Sequence, residues 1–500
     1  MASEPSISRR QLMGGVLGLG AVAGLSACGL RSSPSPVGPG AVAAAESARA
    51  TTGTVRAFDL RAQAAQVDLG GRVVDTWAYG DTVPGRPLRA TAGDRVRVAF
   101  RNDLPEPTSV HWHGLAIRNN MDGVPGLTTP EVAPGASFDF DFVVPDPGTH
   151  WLHPHTGLQL DRGLYAPFIV EDPAEPGGYD AEWVLVLDDW TDGVGPSPEQ
   201  IFATLNRGGA SNGDDMGGMD RMSGSSAGMG GMEGMNGLAG DVSYPVYLIN
   251  GQASNDPDVL AGKPGQRVRL RIINAAADTI FNVALGGHEL LVTHTDGFPL
   301  TPVMAPALRI GMGERYDAVV TLADGVFPLV AEPIGKTGSA RALVRTGAGA
   351  VPDESYRPRE LDSSALTVAA LSASAGSRLP RRGPDTVQDL LLSGAMSPYT
   401  WTINGRTYED TEPLTIRQGQ TGRLRIRNMS MMAHPIHLHG HTFQLGSAGG
   451  SGPRKDTVLV PAMGAVDLDF AADNPGRWMV HCHNAYHAEA GMMTRLDYMI

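Results

Sequence analysis

Three stretches of the chain align with one another without a gap, and no other feature constrains the fold as strongly. They are residues 93–102, 265–274 and 419–428. Each begins with a turn glycine and then places apolar residues at every second position, which predicts a strand with one buried face. Copies that start 172 and 154 residues apart are too widely spaced for a solenoid, so the pattern indicates three related β domains.

The composition agrees with an all-β chain of several domains. A length of 500 residues corresponds to about three domains, and 64 glycines with 37 prolines favour many turns between short strands. Hydrophobic residues at 42% and charged residues at 18% exclude a disordered chain. A net charge of −14 argues against DNA or RNA as a partner, because nucleic-acid binding needs a cationic surface. The predicted domains are residues 55–175, 176–355 and 356–500.

The N-terminus predicts an export signal. Arg9 and Arg10 form a twin-arginine pattern, and residues 12–27 are uncharged. This stretch is shorter than the roughly 20 residues of a membrane span and is typical of a signal peptide. Residues 25–28 resemble a bacterial lipobox, so we expect residues 1–27 to be a twin-arginine lipoprotein-type signal peptide and Cys28 to be lipidated. A plain signal peptide with a chance cysteine is the alternative.

The export signal predicts a location and a linker. The twin-arginine route would leave the protein in the cell envelope, held by its lipid on the outer face of the cytoplasmic membrane. Residues 28–54 are rich in Ser, Pro, Ala and Gly and are expected to be a flexible tether. The only cysteines are Cys28 and Cys482, so there is no disulfide framework.

Histidine pairs follow the repeated stretch in two of its three copies. The pairs lie at equal distances from the repeat and from the closing turn of each copy. They are His111 and His113, His153 and His155, His437 and His439, and His481 and His483. The second copy has Val283, Leu285, Val330 and Glu332 at these positions.

The pairs predict a metal cluster between the first and third domains. Alternation on a strand directs both members of a His-X-His pair to one face. Four pairs therefore bring eight imidazoles together, and imidazole suits copper, zinc, iron or nickel. Structural histidines are the alternative, but eight of the 14 histidines falling in register in two of three repeats argues strongly against chance.

The third domain holds a second predicted site. Cys482 points to the opposite face from its neighbours His481 and His483. A thiolate with two imidazoles and a weak axial thioether specifies a blue-copper electron-transfer site. The remaining donors are His434, His487 and Met492. The first domain has Thr108, Pro154, Gln159 and Leu164 at the matching positions and cannot form such a site. Single electrons can pass from the cysteine through one residue of backbone to the cluster, which suits reduction of dioxygen to water.

These motifs resemble the four copper motifs of the three-domain multicopper oxidases, a family that includes laccases and bacterial copper-tolerance oxidases. The motifs are His111-Trp112-His113-Gly114, His153-Pro154-His155, residues 434–441, and His481-Cys482-His483 with His487 and Met492. The resemblance covers the chain from about residue 55 to 500. It implies three cupredoxin-like Greek-key β-sandwich domains and four copper ions as cofactors.

The resemblance also implies which residue binds which copper. The type 1 ion takes His434, Cys482 and His487, with Met492 as the axial ligand. The type 2 ion takes His111 and His437. One type 3 ion takes His113, His153 and His483, and the other takes His155, His439 and His481. Catalysis then depends on Cys482 and on the two histidines beside it.

An acid beside the oxygen site is expected as well. Asp122 stands nine residues after His113, where similar bacterial enzymes place a carboxylate that donates protons during oxygen reduction. A simple turn residue before Gly123 is the alternative. Several relatives carry a glutamate directly after the last type 1 histidine, whereas this chain has Ala488 followed by Glu489. The remaining histidines are expected to be structural or to support ligands: His150, His288, His294 and His441.

Residues 207–240 are a low-complexity segment, and its methionines predict capture of Cu(I). Thioethers select Cu(I), and methionine is costly to expose because it is apolar and oxidisable. The methionines are Met216, Met219, Met222, Met229, Met232 and Met235. An inert insertion is the alternative. By resemblance, Met432 sits where a methionine contacts substrate Cu(I), whereas Met429 and Met431 are equally well explained by strand packing.

The predicted function is a cuprous oxidase. The protein would take electrons from Cu(I), as a copper defence, and reduce dioxygen to water. Oxidation of phenols or of Fe(II), as in laccase-like enzymes, is the first alternative. A copper-sequestering envelope protein without turnover is the second, but storage has no need for a thiolate site joined to a histidine cluster. The membrane is expected to be a partner only through the lipid anchor.

Overall fold

Each repeated stretch becomes a strand inside a sheet, as its alternation predicts. The computed structural model describes residues 35–175, 177–208, 237–380, 382–446 and 450–500. In the first copy, Arg95–Asn102, exposed and buried residues alternate without exception. In the second copy, Arg267–Asn274, every residue after Arg267 is buried, including two arginines. The second copy therefore lies inside the protein, whereas the first keeps one face in solvent.

The first group of strands forms two four-stranded sheets that pack face to face. Its strands are β1 (Val55–Asp68), β2 (Val73–Tyr79), β3 (Leu88–Thr91), β4 (Arg95–Asn102), β5 (His111–His113), β6 (Ser137–Val143), β7 (Gly148–His153) and β8 (Ala166–Glu171). The sheet orders are β2-β1-β4-β6 and β3-β8-β7-β5. A cluster of buried side chains that includes Trp112, Phe100 and Phe168 fills the space between these sheets.

The second group forms a seven-stranded and a five-stranded sheet. Its strands are β9 (Ala181–Trp190), β10 (Val246–Ile249), β11 (Gln252–Ala253), β12 (Val259–Ala261), β13 (Arg267–Asn274), β14 (Phe281–Leu285), β15 (Leu290–Thr295), β16 (Phe298–Ala305), β17 (Leu308–Ile310), β18 (Arg315–Thr321), β19 (Val326–Pro333) and β20 (Ala340–Arg345). The orders are β11-β10-β9-β13-β18-β15-β16 and β12-β20-β19-β14-β17.

The third group forms a six-stranded and a five-stranded sheet. Its strands are β21 (Thr386–Met396), β22 (Tyr399–Ile403), β23 (Leu414–Ile416), β24 (Thr421–Asn428), β25 (His434–Leu438), β26 (Phe443–Leu445), β27 (Arg454–Lys455), β28 (Thr457–Val460), β29 (Ala465–Ala471), β30 (Arg477–Cys482) and β31 (Met493–Tyr498). The orders are β22-β21-β24-β29-β26-β27 and β23-β31-β30-β25-β28.

Helices are few and short in the part of the chain that the structure describes. The α-helices are α1 (Pro39–Ser47), α2 (Pro198–Asn206) and α3 (Ala485–Glu489). Single 3₁₀ turns cover Asn119–Met121, Gln159–Asp161, Arg359–Asp362, Val368–Ala370, Ala375–Ser377 and Tyr408–Asp410. Within the described ranges, no helix is both long and apolar enough to cross a bilayer. The expected fold class is confirmed: an all-β chain of cupredoxin-like Greek-key β-sandwiches.

The flexible tether expected over residues 28–54 is wrong for its described part. Residues 39–47 form α1, which begins with proline at its first turn and is rich in alanine, the best helix former. The stretch also contacts the body of the protein. The Val37 amide donates to the Tyr498 carbonyl at 2.8 Å, and the Glu46 carboxylate accepts from the Val143 amide at 3.0 Å.

Candidate metal centre

Two antiparallel strand pairs carry the histidines, and their register aligns them. In the pair β5 and β7, His111 lies opposite His153. In the pair β25 and β30, His437 lies opposite His481. Directly opposed side chains on one face lie within contact distance. Each strand pair therefore contributes one face of imidazoles, and the intervening Trp112 and Cys482 point into the protein on the other side.

The structure brings all eight histidines together into one cluster, called the eight-histidine cluster below. Ligand atoms within each of three groups lie within 4.8 Å of one another. The groups are His113, His153 and His483; His155, His439 and His481; and His111, His113 and His437. The first two match the sets expected for the two type 3 ions. The third joins the two expected type 2 ligands to a neighbour.

The ring nitrogens of the cluster have the pattern that a metal requires. Backbone carbonyls contact one nitrogen of several rings, as between His111 Nδ1 and Asp122 O (2.8 Å) and between His153 Nδ1 and Pro154 O (2.9 Å). Such contacts fix the tautomer and direct the other nitrogen to a metal. The opposite nitrogens, among them His111 Nε2, His153 Nε2 and His437 Nε2, are buried and without a hydrogen-bond partner. These nitrogen atoms are therefore suited to bind a metal ion.

The group of His155, His439 and His481 shows the same fit in a different way. His481 Nε2 lies 3.1 Å from His439 Nε2 and 3.3 Å from His155 Nε2. A carbonyl contacts His481 Nδ1, so its Nε2 presents a lone pair. Burial is the main cause that lowers the pKa of these three imidazoles well below 6.5, and neighbouring histidines add to it. Neutral imidazole rings whose lone pairs converge are suited to bind a metal ion.

A second group, called the thiolate site below, contains His434, Cys482 and His487. The Cys482 Sγ atom lies 3.6 Å from His434 Nδ1 and 3.7 Å from His487 Nδ1, and the two Nδ1 atoms are 3.0 Å apart. All three residues are fully buried. Burial raises the pKa of the Cys482 thiol above its usual range, so a thiolate here needs a cation beside it.

Met492 is held next to the same group by the backbone. Its amide donates to the His487 carbonyl at 2.9 Å, and its carbonyl accepts from the Cys482 amide at 3.0 Å. The side chain is fully buried. The helix α3 starts with an Asn484 side chain that accepts from the Tyr486 and His487 amides, which fixes His487 in the first helical turn.

The outer nitrogens of both thiolate-site imidazoles contact polar side chains. His434 Nε2 lies 2.7 Å from Ser430 Oγ, and His487 Nε2 lies 3.0 Å from Asp241 Oδ2. The Trp401 ring packs against His487, with 4.1 Å between ring centroids. Sequence reasoning missed all three contacts. Asp241 is the hardest to foresee, because it reaches His487 from 246 residues earlier in the chain.

Asp122 lies inside the eight-histidine cluster, which favours more than a turn role. Its carboxylate oxygens lie 3.3 Å from His111 Nδ1 and 3.1 Å from His439 Nδ1. The residue is fully buried. Together with these two histidines it forms a further group of possible metal ligands. One carboxylate thus spans the first and third groups of strands.

A second buried carboxylate, Asp456, was not predicted. It lies 3.2 Å from His113 Nε2 and 3.5 Å from His437 Nδ1, and the Thr457 hydroxyl lies 3.0 Å from His113 Nε2. Arg315 of β18 donates to both oxygens of Asp456, at 2.7 and 2.5 Å. This guanidinium holds the pKa of Asp456 well below its usual range despite burial. A possible signal in the sequence was the charged pair Lys455-Asp456 just before a buried apolar strand.

A small cavity of about 70 Å³ borders the cluster, and Glu489 lines it. The same cavity is lined by His155, His481 and Ala488. Partial burial raises the pKa of Glu489. Ala488 stands where several relatives have a glutamate, but Glu489, one residue later, still places a carboxyl group at this cavity.

The remaining histidines have local structural partners or none. His441 Nε2 lies 2.6 Å from the Tyr498 hydroxyl, and His288 Nε2 accepts from the Ala323 amide. His294 Nδ1 contacts the Thr293 hydroxyl. His150 is fully buried, and burial lowers its pKa to about 3, so it is a neutral ring. None of the four belongs to a group of possible metal ligands among the described residues.

The structure describes only some of the methionines that are predicted to bind the substrate. Met216, Met219, Met222, Met229, Met232 and Met235 lie outside the described residues, as does Cys28. Met432 is half-buried and packs against the core, directly before the thiolate site. Met429 and Met431 are 56% and 68% exposed, so strand packing does not account for them.

Comparisons with known proteins agree with the geometry. Three family models, each described as multicopper oxidase, match residues 61–175, 182–350 and 381–499. Multicopper oxidase MmcO of Mycobacterium tuberculosis is 49% identical over 98% of this chain and 97% of its own. Copper resistance protein A of Escherichia coli is 28% identical over 87% of this chain and 91% of its own.

Solved structures show the same likeness. The laccase from Botrytis aclada superposes with a TM-score of 0.73 and 26% identity, covering 90% of this chain and 88% of that one. The matched ranges include every ligand group described above, and the donor sets are those that copper takes in proteins. On its sequence, its fold and its buried donor groups, this chain belongs to the multicopper oxidases, oxidoreductases with copper cofactors.

Proposed function

We propose that the protein oxidises Cu(I) to Cu(II) and uses dioxygen as the electron acceptor. The observation that carries this proposal is the closed thiolate site. His434 and His487 are both fully buried, and their outer nitrogens contact Ser430 and Asp241. A bulky organic reductant has no open imidazole edge to touch. A metal ion at the surface needs only a short polar path to these side chains.

The proposal includes four copper ions, assigned as the family resemblance implies. His434, Cys482, His487 and Met492 hold the type 1 ion, and His111 with His437 hold the type 2 ion. His113, His153 and His483 hold one type 3 ion, and His155, His439 and His481 hold the other. Bound there, copper supplies one-electron oxidation of the substrate and four-electron reduction of dioxygen. The converging unpartnered nitrogens of the cluster support this assignment.

Cys482 joins the two sites through the backbone. Its neighbours His481 and His483 both belong to the eight-histidine cluster. A contact of 2.8 Å between His481 Nδ1 and the Cys482 carbonyl oxygen shortens the path further. The side chains of three successive residues therefore link the place of substrate oxidation to the place of oxygen reduction.

Asp122 is proposed to move protons during oxygen reduction. Its carboxylate reaches both sides of the cluster, at His111 and His439. A buried carboxylate at a place where oxygen is reduced can hold a proton and deliver it without admitting bulk water.

The methionine-rich segment is proposed to deliver Cu(I) to the thiolate site. Its described ends support this role. The Ala433 amide donates to the Gly237 carbonyl at 2.7 Å, directly beside His434. At the other end, Gly208 lies against Ser397, and Phe202 of α2 packs on Tyr399, whose hydroxyl donates to Asp241. Soft thioethers between these ends favour Cu(I) over harder ions.

The N-terminal predictions remain part of the proposal. Residues 1–27 act as a twin-arginine signal, Cys28 carries the lipid, and the protein stays at the outer face of the cytoplasmic membrane. Three domains with bounds 55–175, 176–355 and 356–500 form the body. Metabolic labelling with a palmitate analogue tests the anchor. A Cys28→Ser variant that still carries label contradicts it.

Oxygen uptake by the copper-loaded protein tests the proposed substrate. We expect faster uptake with Cu(I) than with a phenol, because the buried imidazoles admit no aromatic ring. Deletion of residues 212–236 should raise the KM for Cu(I) and leave the phenol reaction unchanged. A variant with the six segment methionines changed to leucine keeps the length and serves as the matched comparison. Faster turnover on the phenol would make the protein a laccase-like oxidase.

A further inference from the structure

The helix that carries His487 is held by a loop of the second group of strands. This loop lies between β13 and β14. Its Ala277 carbonyl accepts from the amide of Ala485, the first residue of α3, at 2.9 Å. Next to it, the Asp278 carboxylate accepts from the side-chain amide of Asn484. Because Asn484 caps the same helix, the start of α3 is fixed from another part of the chain.

Asp278 also holds the segment that contacts the other side of His487. Its Oδ1 atom accepts from the Asp241 amide at 3.1 Å, and its Oδ2 atom accepts from the Val242 amide at 2.9 Å. The Asp241 carboxylate in turn lies 3.0 Å from His487 Nε2. One carboxylate is therefore connected to His487 along two routes, through the helix cap at Asn484 and through Asp241.

The surroundings of Asp278 are suited to a carboxylate and to no other group of its size. The residue is fully buried, and Lys336 donates to its Oδ2 atom at 2.7 Å. Gly240 packs so closely that a Cβ atom there would overlap the carboxylate. Its two oxygens thus accept from four donors, which are two side chains and two backbone amides. A neutral amide group would place N–H against N–H at one of these positions.

We propose that Asp278 is a positioning residue of the thiolate site and fixes the ring of His487 against the type 1 ion. The second group of strands provides none of the proposed copper ligands, yet through Asp278 it takes part in the site that accepts electrons. Side chains that orient metal ligands tune the affinity and the redox properties of the metal. A buried negative charge in this region also favours Cu(II) over Cu(I).

This inference rests on the proposed assignment of His487 to the type 1 ion, and spectroscopy of the copper-loaded protein tests it. Asn484→Ser keeps a side chain that caps a helix but is too short to reach Asp278. Asp278→Asn keeps the shape of the side chain and removes its charge. We expect both variants to change the blue absorption and the electron paramagnetic resonance spectrum of the type 1 ion, and to leave the type 2 signal unchanged.

The reduction equilibrium of the type 1 ion is the second measurement. In Asp278→Asn, a redox titration with a mediator should show that the equilibrium constant for one-electron reduction rises several-fold, because a negative charge is lost. Asp317→Asn is the matched control. Asp317 is a buried carboxylate of the same group of strands, and its partners, Arg269, Arg271 and Thr149, lie outside α3. This control should lose stability but keep the type 1 spectrum and the reduction equilibrium of the wild type.

The outcomes separate a positioning role from a structural one. A wild-type type 1 spectrum in Asn484→Ser overturns the inference, and this variant decides the test if Asp278→Asn does not fold. Equal spectral changes in Asp317→Asn overturn it as well, because the effect would then be a general loss of stability. Unchanged spectra together with Cu(I)-driven oxygen uptake overturn only the inference. Changed spectra in a protein that consumes no oxygen with Cu(I) refute only the proposed function.

Discussion

Replacement of Cys482 by serine removes one sulfur atom from the thiolate site and little else. We expect Cys482→Ser to lose its blue colour and its turnover, because the hydroxyl is a poor substitute for a soft thiolate. The eight-histidine cluster should keep its copper, which metal analysis of the purified variant measures. Survival of both colour and turnover would refute the assignment of the thiolate site.

Asp122→Asn tests the proton role at the same scale. The amide keeps the shape of the side chain but cannot deliver a proton, so oxygen reduction should slow by about a hundredfold or more. Anaerobic reduction of the blue centre by Cu(I) should keep its rate, which stopped-flow absorbance records. Asp139→Asn on the exposed face of β6 is the control. Equal rates of oxygen reduction in the two variants would indicate that Asp122 is only a turn residue.

The side chains proposed as ligands could be predicted one by one, but the side chains that contact them could not. A His-X-His pair on a strand is a local pattern, and the repeats place each pair at a fixed distance from a recognisable stretch. Asp241, Ser430 and Asp456 have no repeated position. Tertiary packing alone brings Asp241 to His487, so no local spacing could have indicated it.

At the scale of single elements, the turn at Gly440 after β25 follows His437 and His439 directly and packs against the core. Gly440 has φ of +64°, and a Cβ atom there would overlap the Trp478 ring. Gly440→Ala should therefore lower the free energy of unfolding by roughly 1–3 kcal/mol through overpacking, beyond the backbone cost alone. Gly405 has φ of +73° with open space around it, so Gly405→Ala shows that backbone cost. Equal losses in chemical denaturation would contradict the steric argument.

The elements also show where sequence periodicity succeeds and where it fails. Alternation predicts β4 and β24 correctly, because each keeps one face towards solvent. It cannot foresee that β13 is buried on both faces, with Arg269 and Arg271 paired to Asp317 inside the protein. The helix α1 was missed for a different reason: a Pro- and Ala-rich stretch has no apolar pattern, and contacts with distant residues support it.

At the scale of the whole molecule, the second group of strands, which holds none of the eight histidines, contributes to the cluster through Arg315. Its two hydrogen bonds hold Asp456 beside His113 and His437. Arg315→Lys removes the bidentate geometry, so copper affinity of the cluster should fall about 10- to 100-fold, as for other residues that orient metal ligands.

Chelator titration of copper release measures the Arg315 effect, and the spectrum of the type 2 ion provides a readout apart from activity. Arg357→Lys is the matched control, because Arg357 makes similar ion pairs with Glu332 and Asp362 at an exposed surface. Thermal unfolding of both variants separates a local effect from general instability. Copper release identical to that of the control would mean that Arg315 only joins the strands.

Removal of copper should make stability strongly dependent on pH. Burial lowers the pKa of cluster histidines such as His153, His439 and His483 below 6.5, so the folded copper-free protein binds fewer protons than the unfolded chain. Its unfolding free energy therefore falls as pH drops below about 6.5, by up to about 1.4 kcal/mol per pH unit for each such histidine. Denaturant unfolding of the copper-free protein between pH 5 and 8 checks this trend, and a flat profile contradicts it.

The two ends of the methionine-rich segment lie on the same side of the molecule, with Gly208 beside Ser397 and Gly237 bonded to Ala433. The sequence between two such fixed ends can be replaced at little cost in stability. Doubling its length costs only about 0.6 kcal/mol of closure entropy, so sandwich stability places little restriction on what it contains. Selection, or a protein engineer, can thus change the sequence between these two ends without altering the residues of the thiolate site or of the eight-histidine cluster.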